Sequence, residues 1–98
     1  MNISQLPYII AIASTGSLSA AARQLGISQP ALSKFLKNTE REVGQELFFR
    51  SGNRYFPTPA GQIYLSTAQQ IVNLNNHTHA AVSALINELQ KLIDSMRG

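Results

Sequence analysis

One stretch limits the folds open to this chain more than any other: Leu18-Ser19-Ala20-Ala21-Ala22-Arg23-Gln24-Leu25-Gly26-Ile27-Ser28-Gln29-Pro30-Ala31-Leu32-Ser33-Lys34-Phe35. It reads as two helices joined by a three- to four-residue turn that contains glycine, the helix-turn-helix arrangement. The first helix of the pair, roughly 18–25, begins at Ser17 or Leu18. Its small residues Ala21 and Ala22 let the next helix cross close to them. Gly26 stops it, because glycine takes the positive φ of a helix end at little cost. Ser28 caps the helix that follows, and Pro30 lies in the first turn, where a missing N–H is tolerated. Leu25, Ile27, Leu32 and Phe35 fill the wedge between the two helices. Leu32, Phe35, Leu36, Thr39 and Val43 form the inner side of a helix that ends at Gly44.

The outer face of that third helix is left polar, with Gln29, Ser33, Lys34 and Lys37. Such a face suits a major groove: glutamine can bond adenine bidentately, serine bonds base edges or phosphate, and lysine reaches guanine or phosphate. The helix amino end can receive a phosphate on free N–H groups. Charge agrees. The net charge is +3, and six of the eight basic residues fall between positions 23 and 54, where the only acids are Glu40, Glu42 and Glu46. The segment 55–90 holds one charged residue, Glu88. A basic first half and a nearly neutral second half separate anion contact from packing. Arg23 and Arg41 are expected to pair within the chain with Glu40, Glu42 or Glu46.

Upstream, Ser4 is expected to cap a first helix that carries Pro7 in its first turn and ends at Thr15-Gly16-Ser17. Downstream, the period changes. Leu47-Phe48-Phe49-Arg50 and Tyr55-Phe56 flank Ser51-Gly52-Asn53-Arg54, which reads as a hairpin with a Gly/Asn turn, closed by Pro57 and Pro59. The expected fold is mainly α: a winged helix-turn-helix of three helices and a two-stranded wing over 1–58. A long linker helix over 59–92 and a hinge or tail over 93–98 complete it. The long helix starts near Thr58 or Pro59 and spans about 50 Å, more than a core of this size can cover. Its apolar positions Tyr64, Ala68, Ile71, Val82, Leu85, Leu89, Leu92 and Met96 step by fours and threes, with Asn75 and Thr78 as polar interruptions. This heptad seam reads as packing on the domain at its start and as self-pairing further on.

Taken together, Gly16-Ser17-Leu18, Ala21-Ala22, Leu25, Ser28-Gln29-Pro30-Ala31-Leu32-Ser33, Glu40, Gly44, Leu47-Phe48 with Arg50, and Thr58-Pro59-Ala60-Gly61 resemble the N-terminal domain of LysR-type transcriptional regulators in order and spacing. The resemblance implies a third helix that reads the major groove, a wing that touches the minor groove, and a linker helix that mediates dimerisation. It implies base reading by Gln29, Pro30 and Ser33, and a phosphate contact at Lys34. Ser28, Arg50 and Thr58 fall at backbone-contact positions, Arg54 is the wing arginine, and Ser17 opens the second helix towards phosphate. The implied partners are double-stranded DNA bearing a pseudo-palindromic operator and a second copy of the chain. A small-molecule effector would act only through a C-terminal effector domain that these residues do not contain, so the chain is expected to be a DNA-binding fragment or a truncated homologue. Thr39 and Pro57 depart from the family pattern, which has leucine at both places.

Other functions find little support. The absence of cysteine excludes a disulfide framework, a thiolate zinc site and cysteine catalysis. His77 and His79 stand two apart on a helix and point to different sides, so neither a metal nor any other cofactor is expected. Ser14, Ser17 and Ser19 have no His–acid partner for nucleophilic catalysis, and the chain is not expected to be an enzyme. No apolar run reaches the ~18–20 residues of a membrane span, and the start lacks the basic and apolar regions of a signal peptide, which fits a cytoplasmic setting. The rival reading is a winged helix used for protein contact, but such a face would be apolar or acidic, unlike Gln29, Ser33, Lys34 and Lys37.

Overall fold

The computed structural model describes residues 2–98. Side-chain caps set the helix starts. Ser17, Ser28 and Thr58 each accept a hydrogen bond on Oγ from the N–H three residues on, at Ala20 (3.1 Å), Ala31 (3.2 Å) and Gly61 (3.0 Å). They open α2 (Leu18–Leu25), α3 (Gln29–Val43) and α4 (Pro59–Arg97). The expected cap at Ser4 is corrected. Asn2 caps a 3-10 turn over Ile3–Gln5 by accepting from the Ser4 N–H at 3.1 Å, and α1 (Leu6–Thr15) starts after it with no side-chain cap. A tight turn takes up the residues that would otherwise begin the helix.

The core lies where the first three helices meet the entry to the wing. Ile9 and Ile12 of α1, Leu18, Ala21 and Ala22 of α2, and Leu32 and Leu36 of α3 are buried together with Leu47 and Phe48. Tyr8 sets its ring edge-on to Phe35, centroids 5.0 Å apart. Leu25, Ile27 and Phe35 pack half-buried against this cluster, as the wedge required. Val43 does not join it: at the last turn of α3 it is 44% exposed.

The wing is β1 (Phe48–Ser51) paired antiparallel with β2 (Arg54–Pro57) around the two-residue loop Gly52-Asn53. Gly52 takes φ 61° at the first central position, where a two-residue hairpin turn of this kind calls for glycine. The register sets Phe49 opposite Phe56, stacked 5.7 Å apart on an exposed face, and Arg50 opposite Tyr55 on the other face. The guanidinium of Arg50 lies 5.8 Å from the Tyr55 ring centroid.

Backbone and carboxylate hydrogen bonds tie the wing to the helices. The Tyr55 N–H donates to the Gly16 carbonyl at 2.9 Å, and the Thr58 N–H donates to the Leu47 carbonyl at 2.9 Å. The Glu40 carboxylate accepts from the Leu47 N–H at 2.6 Å and makes a longer contact, 3.4 Å, with that of Phe48. Of the acids expected to pair with Arg23 or Arg41, Glu40 is instead committed to backbone, and Arg41 donates to Asn38 Oδ1 at 3.1 Å. Glu40→Ala is expected to cost about 1–3 kcal/mol, because it orphans a part-buried N–H. Glu40→Gln keeps an acceptor and is expected to cost less. Urea denaturation of the two variants checks the order.

The long helix runs to Arg97, so residues 93–97, expected as a hinge or tail, are helical. It gives the molecule a long axis of 64 Å. Its first turns pack on α1 and the core: Gly61 and Ala68 are buried, and Tyr64, Leu65, Ile71 and Val72 are half-buried. Tyr64, Ala68 and Ile71, expected on the dimerisation seam but at its start, where packing on the domain is also expected, are buried or half-buried in the folded chain. Burial, and secondarily the Glu42 carboxylate, push the Tyr64 phenol above its ordinary value of 10.0 and keep it neutral. After Val72 every residue is exposed, including Val82, Leu85, Leu89 and Leu92.

Candidate nucleic-acid interface

The amino end of α3 stands out from the body. Ser28, Gln29, Pro30, Lys34 and Lys37 are exposed, and Ser33 is half-buried beside them. Pro30, Ser33, Lys34 and Lys37 border one shallow groove with Asn38 and Arg41, and no acid lines it. Positions 30, 33, 34, 37, 38 and 41 recur at the spacing of a single helix face. Asn38 and Arg41 extend the sequence-based site, and the same spacing was the signal that could have found them.

A second cluster lies where the amino end of α2, the amino end of α3 and the wing converge. Ser17, Leu18, Ser19, Gln29, Arg50, Asn53 and Tyr55 line a small polar notch. Ser17, Gln29 and Arg50 were expected at the site; Ser19, Asn53 and Tyr55 were not. Arg50 is steadied by its Nε bond to the Gly52 carbonyl at 3.3 Å. The first N–H groups of α2 have no intrahelical partner and stand at the positive end of the helix dipole, a setting that favours anionic groups. Ser17 and Ser28 use an oxygen lone pair for capping, which leaves each hydroxyl proton free to donate.

Two expected residues behave differently. Thr58 donates its one hydroxyl proton to the Glu46 carbonyl at 2.6 Å and caps α4, so the hydroxyl has no proton left for a phosphate. Arg54 follows the wing loop, but its side chain is laid back over the turn between α1 and α2: a Cβ built at Gly16 would stand 2.8 Å from Arg54 Nε. Gly16 thus lies directly beneath the Arg54 side chain. Along α4, Val82, Leu85, Leu89 and Leu92 form an exposed apolar stripe, and Ile86 and Ile93 widen it by one heptad position. Among the described residues no group of three or more His, Cys, Asp or Glu could hold a metal ion, and no helix is long and apolar enough to cross a membrane.

A family profile described as bacterial regulatory helix-turn-helix protein, lysR family, matches residues 3–62. The chain belongs to the LysR family. It is 38% identical over 74 residues to the HTH-type transcriptional regulator TfdT of Cupriavidus pinatubonensis, covering 76% of this chain and 32% of that protein. It is 40% identical over 86 residues to a probable RuBisCO transcriptional regulator of Nostoc sp., covering 88% of this chain and 26% of the relative. The chain thus spans about a third or less of these LysR relatives. Among solved structures, the CbnR DNA-binding domain in complex with DNA matches with a TM-score of 0.77 at 33% identity, covering 87% of this chain and 98% of that one. The full-length LysR-type regulator LysG of Corynebacterium glutamicum, with bound effector Arg, matches at 0.81 and 33% identity, covering 90% of this chain and 30% of that one. The winged helix-turn-helix followed by a long helix is the LysR DNA-binding-domain architecture.

Proposed function

We propose that this chain binds double-stranded DNA sequence-specifically as the DNA-binding part of a LysR-type transcriptional regulator. The amino end of α3 enters the major groove and the wing lies over the adjacent minor groove. Two copies pair through α4, so that their recognition helices meet a pseudo-palindromic operator at a fixed half-site spacing. The chain acts by binding rather than by catalysis, in the cytoplasm. Effector sensing falls to a separate C-terminal domain, which the greater length of the relatives supports.

The observation that carries this reading is the acid-free face of α3, where Pro30, Ser33, Lys34, Lys37, Asn38 and Arg41 share one groove next to Gln29. A major groove about 12 Å wide admits a helix, and these side chains reach both base edges and phosphates. Gln29, Pro30 and Ser33 read bases. Lys34 and Lys37 hold phosphates. Ser17, Ser28 and Arg50, with the first N–H groups of α2, hold the backbone beside the wing. Arg54 reaches a narrow minor groove once its side chain swings off Gly16. The CbnR DNA-binding domain, solved in complex with DNA, supports DNA as the partner.

Selection of bound duplexes from a randomised pool, at near-physiological salt, tests the proposal. An enriched interrupted palindrome is the expected result. Enrichment of a single half-site would remove the dimer from it. Binding confined to low salt with no enrichment would leave non-specific electrostatics and favour a protein-contact module. Lys34→Ala is expected to weaken all duplexes alike and to lower the slope of log K against log salt by about 1. Titrations at several salt concentrations check it, and an unchanged slope removes Lys34 from the phosphate contacts.

A further inference from the structure

Ser19 belongs to α2 and Gln29 to α3, ten residues apart, yet the Ser19 hydroxyl donates to Gln29 Oε1 at 2.8 Å. Both residues are exposed, so this bond is no part of the core. It ties together the tips of the two crossing helices at the polar notch beside Arg50 and Asn53. A free glutamine amide offers an acceptor oxygen and a donor nitrogen side by side, which is the pair that adenine N6 and N7 require. With Oε1 turned towards Ser19, the outward part of the amide is Nε2 with its two N–H donors. Water competes for this bond in the free chain. A docked duplex excludes that water and strengthens the bond.

We propose that Ser19 is a specificity-determining positioning residue: it fixes the Gln29 amide as a donor, so that Gln29 selects guanine, whose O6 and N7 are both acceptors, over adenine. The inference rests on the reading of α3 as the recognition helix. Ser19 touches no base. It acts through the rotation of one amide, and it explains why a hydroxyl stands on the exposed side of a helix otherwise rich in alanine.

The test is the same duplex selection with four proteins: the unaltered chain, Gln29→Ala, Ser19→Ala and Ser19→Thr. The position whose base preference disappears in Gln29→Ala is the one Gln29 reads. At that position the unaltered chain is expected to enrich guanine, and Ser19→Thr, which keeps the hydroxyl, is expected to do the same. In Ser19→Ala the freed Oε1 can accept from adenine N6–H, and the adenine-to-guanine ratio is expected to rise roughly tenfold. Thermal melting should be unchanged across the set, which separates a change in reading from a loss of fold. Adenine enrichment by the unaltered chain, an unaltered ratio in Ser19→Ala, or no preference lost in Gln29→Ala would overturn the role of Ser19 while leaving DNA binding intact. No enrichment by the unaltered chain would overturn both.

Discussion

Gly61→Ala is expected to destabilise the chain by at least about 2 kcal/mol, although alanine is normally the better helix residue by up to ~1 kcal/mol. Gly61 is buried in the first turn of α4, where the helix rests directly on the strand entry. A Cβ there would overlap the Leu47 carbonyl oxygen and stand 2.9 Å from its carbon. That carbonyl is not free to move aside, because it accepts from the Thr58 N–H at 2.9 Å. Leu47 is itself fully buried, and its own N–H is held by Glu40. Relief therefore has to come from lifting α4 off the core, which breaks the cap at Thr58 and uncovers Ala68. A domain of this size loses roughly 4–8 °C of melting temperature per kcal/mol, so a fall of about 10 °C or more is expected by circular dichroism. A melting temperature within two degrees of the unaltered chain would mean that α4 does not seat on Leu47 as described.

The double substitution Leu85→Asp with Leu89→Asp is expected to turn a dimer into a monomer and to lower affinity for a two-half-site operator by roughly 100-fold or more, since two linked half-site contacts become one. Both leucines are more than half exposed on α4, Leu85 one heptad before Leu92 and Leu89 one heptad after Val82. Carboxylates there must be desolvated if a second helix covers them, and two copies place like charges close together. The fold of residues 2–72 should be untouched, because every position after Val72 is exposed. Sedimentation velocity reads the oligomeric state, and titration against a single half-site reads the integrity of α3. A double variant that still sediments as a dimer would move the interface to another surface. Loss of half-site binding as well would show that damage had reached the recognition helix.

The caps at Ser17, Ser28 and Thr58, the glycine stops and the two-residue loop at Gly52-Asn53 depend on bonds spanning two to four residues, and all of them are written locally in the chain. So are the helix-turn-helix, the hairpin and the polar outer face of α3. The start of α1 is ambiguous in the sequence, because Asn2 and Ser4 are both competent caps and local rules do not rank them.

What required the folded molecule is every contact between elements. The spacing that puts Tyr64 and Ala68 in one seam with Leu85 and Leu89 is continuous along α4, and only the docking of its first turns on α1 divides core from exposed stripe. The Thr58 cap is local, but its hydroxyl proton is spent on the Glu46 carbonyl only because the wing brings that carbonyl within reach. Glu40 is bound to the backbone of Leu47, Gly61 lies against the same residue, and Ser19 meets Gln29 across a helix crossing. Periodicity and capping act through the nearest turn of chain, so residue order specifies the elements and their faces. Which side chains then meet depends on the angles and depths at which those elements pack, and these are settled jointly by the whole core.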